Sequence, residues 1–191
     1  EIGPGARVLE VGCGTGKDSL GIVSHLKTEG ELYVQDISSG MIAIARRRLA
    51  EVRIPVEYFL TNASYLPFAD GFFDAVFHFG GINTFAEIPR ALAEMTRVTR
   101  IGGKVVVGDE GVAPWLRKKL FGKILINANP LYKHKPPIEH LPENAQEVGL
   151  LWLIGKAFYL IEYTVGHRPP PLTPLLPNTG DAVTFAPSGL W

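Results

Sequence analysis

The chain has 191 residues, 46% of them hydrophobic, and its 19 Lys/Arg are matched by 19 Asp/Glu to a formal net charge of zero. A chain of this length and composition buries a real core, which excludes intrinsic disorder and a surface that coats nucleic acid. The single cysteine, Cys13, excludes an intrachain disulfide and fits a reducing compartment. No apolar run reaches the roughly 18 residues of a membrane span. The longest, VGLLWLIGKAFYLI from Val148, is interrupted by Lys156. No signal peptide is visible, and a cytoplasmic location is expected. Only a few residues precede the first strand, so a natural amino-terminal segment is expected to be missing, which leaves targeting open.

In chain order, residues 7–11 are a β-rich run ending in a glycine loop, and residues 17–27 read as a helix with Leu20, Val23 and Leu26 inward. Residues 31–37 form a second strand ending at Asp36. Ser38 or Ser39 caps a helix whose Met41, Ile42, Ala45, Leu49 and Val52 share a face, with Arg46, Arg47 and Arg48 on its solvated side. Residues 55–60 and 73–79 are strands three and four. Residues 85–100 are the clearest helix, with Phe85, Ile88, Ala91, Leu92, Met95 and Val98 opposite Glu87, Arg90, Glu94 and Arg97. Gly102-Gly103 ends that helix, and residues 104–109, nearly all valine, are strand five. Residues 149–154 and 157–165, joined at Gly155-Lys156, read as an antiparallel hairpin. The expected fold is α/β, a doubly wound, mostly parallel sheet with that hairpin at one edge. Residues 1–168 are expected to form one domain. Residues 169–191, with six prolines and one charged residue, Asp181, read as a Pro-rich tail.

The stretch VLEVGCGTGKDSL, residues 8–20, places three glycines in five positions straight after an apolar strand. Glycine there allows a ligand to approach the backbone closely. A dinucleotide loop has the pattern G-x-G-x-x-G, but its third glycine position is Lys17 here. Glu10, two residues before Gly12, adds nothing to a diphosphate cradle, whereas its negative field favours a cationic sulfonium amino acid. Asp36 at the end of strand two suits the two hydroxyls of a ribose in either kind of ligand.

Four stretches, VLEVGCGTG, VQDIS with MIAIARRRL, TNASYLPFADGFFDAVF and ALAEMTRVTRIGGKVVVGDE, then carry a resemblance. In order and spacing they are similar to the motifs of class I S-adenosylmethionine-dependent methyltransferases, in the small-molecule branch that includes ubiquinone/menaquinone C-methyltransferases. The similarity runs from residue 8 to about residue 110 and implies a Rossmann-like domain with S-adenosylmethionine as donor. It implies that Gly12, Gly14 and Gly16, with Cys13 among them, let the backbone approach the methionine part, and that Glu10 acts on it directly or through water. It further implies Asp36 on the ribose, Ile37 and Met41 against the adenine, Asn62 and Ala63 at the adenine edge, and Phe77 and His78 facing the methionyl end. Gln35 and Ile101 stand where the family usually has, respectively, glycine or a small apolar residue, and a proline. Neither is expected to touch the chemistry. In relatives an upstream helix covers the donor and part of the acceptor pocket.

His78 is a candidate general base because an imidazole titrates near neutrality. Asp109 and Glu110, ending strand five, are rival candidates. Asn129-Pro130-Leu131-Tyr132 lies past strand five, where the motif of amino methyltransferases does not belong, and reads as a turn. Residues 111–137 carry six Lys/Arg and no acid. As a helix their apolar residues point all round, so residues 111–147 are expected to cover the acceptor site rather than anchor a membrane. The remaining histidines show no metal-ligand spacing, and no nucleic-acid partner is expected. The expected activity is methyl transfer to a small, largely apolar acceptor, giving S-adenosylhomocysteine. A donor-binding regulator or scaffold without turnover is the second reading. A nicotinamide oxidoreductase is the third, disfavoured by Lys17 and Glu10.

Overall fold

In β1 (Arg7–Val11) Val8 turns to one face of the sheet and Leu9 and Val11 to the other, and all three are buried. That alternation is what a strand covered on both faces requires. The computed structural model describes residue 3, residues 5–26 and residues 29–167. The expected Pro-rich tail, and residue 27 at the end of the first helix, lie outside the described residues. The following elements are α1 (Lys17–Leu26), β2 (Glu31–Asp36), α2 (Ser39–Arg48), β3 (Val56–Leu60), β4 (Phe73–Phe79) and α3 (Ile88–Val98). Then come β5 (Thr99–Glu110), two short helices α4 (Pro114–Arg117) and α5 (Leu120–Ala128), β6 (Ala145–Leu153) and β7 (Phe158–Val165).

The seven strands form one sheet in the order β3-β2-β1-β4-β5-β7-β6. Strands β1 to β5 pair in parallel, while β7 pairs antiparallel with both β5 and β6 and so alone runs against the rest. This is the doubly wound, mostly parallel sheet with a hairpin at one edge that the element pattern predicts. The chain steps outward from β1 to β3 and returns to place β4 beside β1. The order therefore reverses between β1 and β4, where open sheets bind ligands beyond their carboxyl ends.

Helices α1 and α2 cover Val8, Leu32 and Val34 through Leu26, Ala45 and Leu49. On the opposite face α3 lays Ala91, Leu92, Met95 and Val98 over Leu9, Val11, Val105 and Val107. The face of α1 differs from the expected one. Its inward residues are Ser19, Ile22, Val23 and Leu26, and Leu20 is exposed. The shift has a cause: the Ser19 hydroxyl donates to the buried carboxylate of Glu10, which fixes the helix's rotation. Strand β5 starts at Thr99 rather than at residue 104, so the expected helix is shorter at both ends. The pair Gly102-Gly103 lies inside a bulge of β5, between the Phe73–Thr99 and Ala75–Lys104 partners. A Cβ on Gly103 would stand 2.7 Å from the Asp74 carbonyl oxygen.

The charged side of α3 is not idle either. Arg97 binds Glu94 at 2.6 Å and Asp70 at 2.7 Å, and donates to the carbonyls of Leu66 and Phe68. Glu94 also accepts the Leu66 N–H at 2.8 Å, and Arg90 donates to the Ser64 carbonyl at 3.0 Å. The Arg97 bond, with the Leu66 amide, holds the Glu94 carboxyl below its ordinary pKa against burial. Together these bonds fasten the β3–β4 connection, which borders the cavity described next.

Candidate active site

The glycine loop leaves β1 and is stitched to the end of β2. The Gly12 N–H donates to Gln35 Oε1 at 3.1 Å, the Cys13 N–H to the Gln35 carbonyl at 2.9 Å, and the Gly14 N–H to Asp36 Oδ2 at 2.8 Å. Asp36 Oδ1 accepts the Ser38 N–H at 2.8 Å, so both carboxylate oxygens are oriented by backbone. Gly12 and Gly14 have φ of +67° and +51°, which side chains disfavour. At Gly12 space is tight as well, because a Cβ would lie 3.3 Å from the His78 ring. Ser38 caps α2, its hydroxyl accepting the Met41 N–H. Arg48 is exposed, as expected, and also reaches back to Thr15, donating to its carbonyl at 2.9 Å and its hydroxyl at 2.7 Å.

Beyond these carboxyl ends lies a cavity of about 540 Å³, within the range of small-molecule sites. Gly12, Gly14, Gln35 and Asp36 form one side, with Ile37 and Met41 past β2. Asn62, Ala63 and Ser64 border it after β3, and His78, Gly80 and Gly81 after β4. Residues 84–87 close it from above α3. Ile37 is 72% exposed, an apolar surface left bare at the cavity's border, of the kind a flat aromatic ring covers. Asn62 is held in an Asx turn, its Oδ1 accepting the Ser64 N–H at 2.9 Å.

Of the donor residues that the resemblance implies, Gly12, Gly14, Asp36, Ile37, Met41, Asn62, Ala63 and His78 thus border one cavity. Four others do not. Glu10 is buried behind the loop, bonded to Ser19, and burial lifts its carboxyl to about 7 despite that bond. Cys13 packs toward α2, and burial pushes its thiol up to about 12. At Gly16 the close neighbour is helix α2: a Cβ would meet Ala45 at 3.1 Å. Phe77 is one residue from His78 and so turns to the opposite face of β4. There it lines a second cavity of about 710 Å³ beside α1, with Ala6, Asp74 and Lys104 at the strands' amino ends. Open sheets bind ligands at the other end, so the smaller cavity is the candidate site.

His78 is fully buried, and its Nδ1–H donates to the Val11 carbonyl at 2.7 Å. Burial lowers its pKa, against the Val11 bond and the fields of Asp109 and Asp36, so the ring is neutral at pH 7. The tautomer fixed by Val11 leaves Nε2 as a bare acceptor. It is the one buried side-chain polar atom without a partner among the described residues. Such an atom calls for a donor partner.

Asp109 and Glu110 do not line this cavity. Asp109 is buried and accepts the Asn83 N–H and the Glu110 N–H, each at 2.8 Å. Burial works to raise its carboxyl, but bonds from Glu110 and from the Asn83, Gly81 and Glu110 amides together hold it low. The bond to Asp109, with burial, lifts the Glu110 carboxyl to about 7. Asn83 Nδ2 donates to the Glu110 carbonyl at 2.9 Å, and Tyr159 donates to Asn83 Oδ1 at 3.2 Å. The group holds the turn that carries Gly80 and Gly81.

Sequence reasoning set Gln35 aside, yet it borders the cavity and ties the loop to the Thr61 carbonyl at the end of β3. An amide directly after Leu32, Tyr33 and Val34 in a strand was the available signal, since such a group must find partners when buried. Gly80 and Gly81, at φ +82° and +104°, were also passed over. Their signal was a glycine pair directly after a strand of the same sheet edge.

The profile of a family described as "Methyltransferase domain" matches residues 8–103. A demethylmenaquinone methyltransferase of Beutenbergia cavernae is 40% identical over 113 residues, covering 59% of this chain and 44% of that protein. The ubiquinone/menaquinone biosynthesis C-methyltransferase UbiE of Ralstonia pickettii is 31% identical over 137 residues, covering 63% of this chain and 56% of that protein. The chain therefore spans about half the length of these curated relatives. Among solved structures, a SAM-dependent methyltransferase from Aquifex aeolicus superposes with a TM-score of 0.63 at 18% identity, over 86% of this chain and 85% of that one. That likeness speaks for the fold.

Proposed function

The chain belongs to the family of methyltransferase domains, and from that premise we propose that it transfers the methyl group of S-adenosylmethionine to a small, largely apolar acceptor, leaving S-adenosylhomocysteine. The observation that carries this reading is the cavity at the carboxyl ends of β1, β2 and β4, with Asp36 oriented into it by Gly14 and Ser38. Asp36 takes the ribose hydroxyls on its remaining lone pairs. Ile37 and Met41 cover one face of the adenine, and the Asn62–Ser64 turn meets its edge. Gly12 and Gly14 admit the amino-acid end, which lies beside the His78 ring. Glu10 and Gly16 act from behind, holding α1 and α2 against the loop. Asp109 and Glu110 hold the Gly81–Asn83 turn.

The bound donor supplies a methyl group on a sulfonium that is already a good leaving group. What the protein adds is alignment of nucleophile, methyl and sulfur, which supplies about 7–11 kcal/mol when the geometry is good. A neutral, bonded His78 supports positioning rather than proton removal. In this reading residues 1–168 are the donor domain and residues 111–147 cover the acceptor side. No described helix is long and apolar enough to cross a membrane, and we read the domain as cytoplasmic, with no nucleic-acid partner.

A thermal-shift comparison tests the ligand assignment. S-adenosylhomocysteine at 100 times its dissociation constant adds about 2.7 kcal/mol of stability, while NAD adds none. Equal or larger stabilisation by NAD overturns it.

A further inference from the structure

The segment after β5, assigned above to the acceptor side, also carries a surface that faces outward. Residues 111–138 hold six Lys/Arg and no Asp or Glu. They fold into α4 and α5 at the carboxyl end of β5, and the pair is firmly seated. The Ala113 N–H donates to the Lys156 carbonyl at 3.0 Å, and Arg117 donates to the carbonyls of Val112 and Lys133 at 2.9 and 3.0 Å. Gly122 lets α5 close onto α4, since a Cβ there would stand 2.0 Å from the Leu116 carbonyl oxygen.

Helical spacing divides α5 into two apolar arcs. Gly122, Leu125 and Ile126 are the more buried positions. Leu120, Phe121 and Ile124 lie on the other side and expose 76%, 53% and 56% of their surface. On the adjoining α4, Trp115 exposes 58%. Lys118, Lys119 and Lys123 are exposed among them. The sequence expectation of an acceptor-site cover rested on apolar residues pointing all round. The structure treats the two arcs differently: one is packed on the protein, and each side chain of the other is more than half exposed.

Three occupants compete for the outward arc. A second copy of this face would set the lysines against their own kind. Residues 168–191 carry a single acid, Asp181, to set against six bases. A bilayer with anionic headgroups complements both features, because Trp, Leu and Phe enter the headgroup–acyl boundary while flanking lysines meet phosphates. We propose that α4 and α5 form a docking surface for an anionic phospholipid bilayer. The proposal rests on this surface alone and is independent of the reaction assigned above.

Flotation of the full chain with vesicles tests it, using phosphatidylcholine alone and phosphatidylcholine mixed with phosphatidylglycerol. The chain is expected to float with the mixed vesicles only, and less at high salt. Each lysine near an anionic surface is worth about fivefold in affinity. Lys118→Ala, Lys119→Ala and Lys123→Ala combined should therefore weaken binding on the order of a hundredfold. Leu120→Ser, Phe121→Ser and Ile124→Ser combined should abolish the part that survives high salt. Both variants should keep the wild-type melting temperature, as the replaced side chains are exposed. Absence of flotation, equal flotation with both vesicle types, or unchanged binding by the alanine variant overturns the proposal. A dimer in sedimentation velocity that the serine variant dissolves overturns it in favour of a second copy.

Discussion

Replacing Asp36 by asparagine perturbs the donor site at the point where its geometry is most tightly defined. Each carboxylate oxygen accepts one backbone N–H at 2.8 Å, from Gly14 and from Ser38, and keeps lone-pair capacity toward the cavity. The amide retains one acceptor. Its NH₂ must face either the Gly14 or the Ser38 N–H, donor against donor, and cannot accept from the ribose hydroxyl on that side. Losing a hydrogen bond to a charged acceptor costs about 1.5–3 kcal/mol. For the ligand that is a roughly ten- to hundredfold loss of affinity. The stability loss should be smaller, on the order of 1 kcal/mol, because the freed N–H borders a cavity that water enters. Calorimetric titration with S-adenosylhomocysteine measures the first and urea unfolding the second. Arg47→Ala is the control, since the Arg47 Nε bonds only the Ala43 carbonyl one helical turn back and should leave affinity unchanged. An Asp36→Asn chain that binds within twofold of wild type refutes the ribose assignment.

Gly16→Ala should destabilise by about 2 kcal/mol or more, combining a left-handed backbone at φ +72° with a Cβ 3.1 Å from Ala45. Gly14→Ala has no neighbour within 4 Å and should cost only the backbone strain, about 1 kcal/mol, with a larger loss in donor affinity. Equal melting temperatures for the two variants would contradict this division. Burial raises the Glu10 carboxyl from 4.5 to about 7, so the folded chain keeps a proton there that the unfolded chain releases. Stability from this group is full below the unfolded pKa and is lost as pH rises through about 7, on the order of 3 kcal/mol. Glu10→Gln should therefore gain on wild type between about pH 4 and about pH 8 in urea titrations, and parallel curves would refute the raised pKa. With His78 neutral, the methyl-transfer rate should show no imidazole limb. His78→Asn should weaken donor binding while leaving the shape of the pH profile alone, and a limb near neutrality that vanishes in the variant would restore the base.

The loop at Gly12, strand β4 and the apolar face of α3 were legible because their determinants are local: glycine spacing, period-two alternation and a stripe every three to four residues. Asp36 was legible for the same reason, as the acid that ends a strand. What escaped depends on contacts between distant segments. Ser19 looks like a solvent residue until Glu10, nine positions earlier, is placed beneath it. Gln35 looks like a departure from pattern until the Gly12 amide and the Thr61 carbonyl converge on it. Phe77 and His78 are neighbours in sequence, and the pleat sends them to cavities on opposite faces. Gly102-Gly103 reads as a helix stop, yet it is a bulge whose register only the pairing with β4 defines.

Transfer itself is the most direct test of the account. The chain, incubated with S-adenosylmethionine carrying a deuterated methyl group, is offered a panel of small apolar phenols, quinols and amines, and products are read by mass spectrometry. One member of the panel is expected to acquire the labelled methyl, with S-adenosylhomocysteine formed in equal amount and the yield falling in the Asp36→Asn chain. A chain that binds the donor tightly but forms no S-adenosylhomocysteine with any acceptor would contradict it.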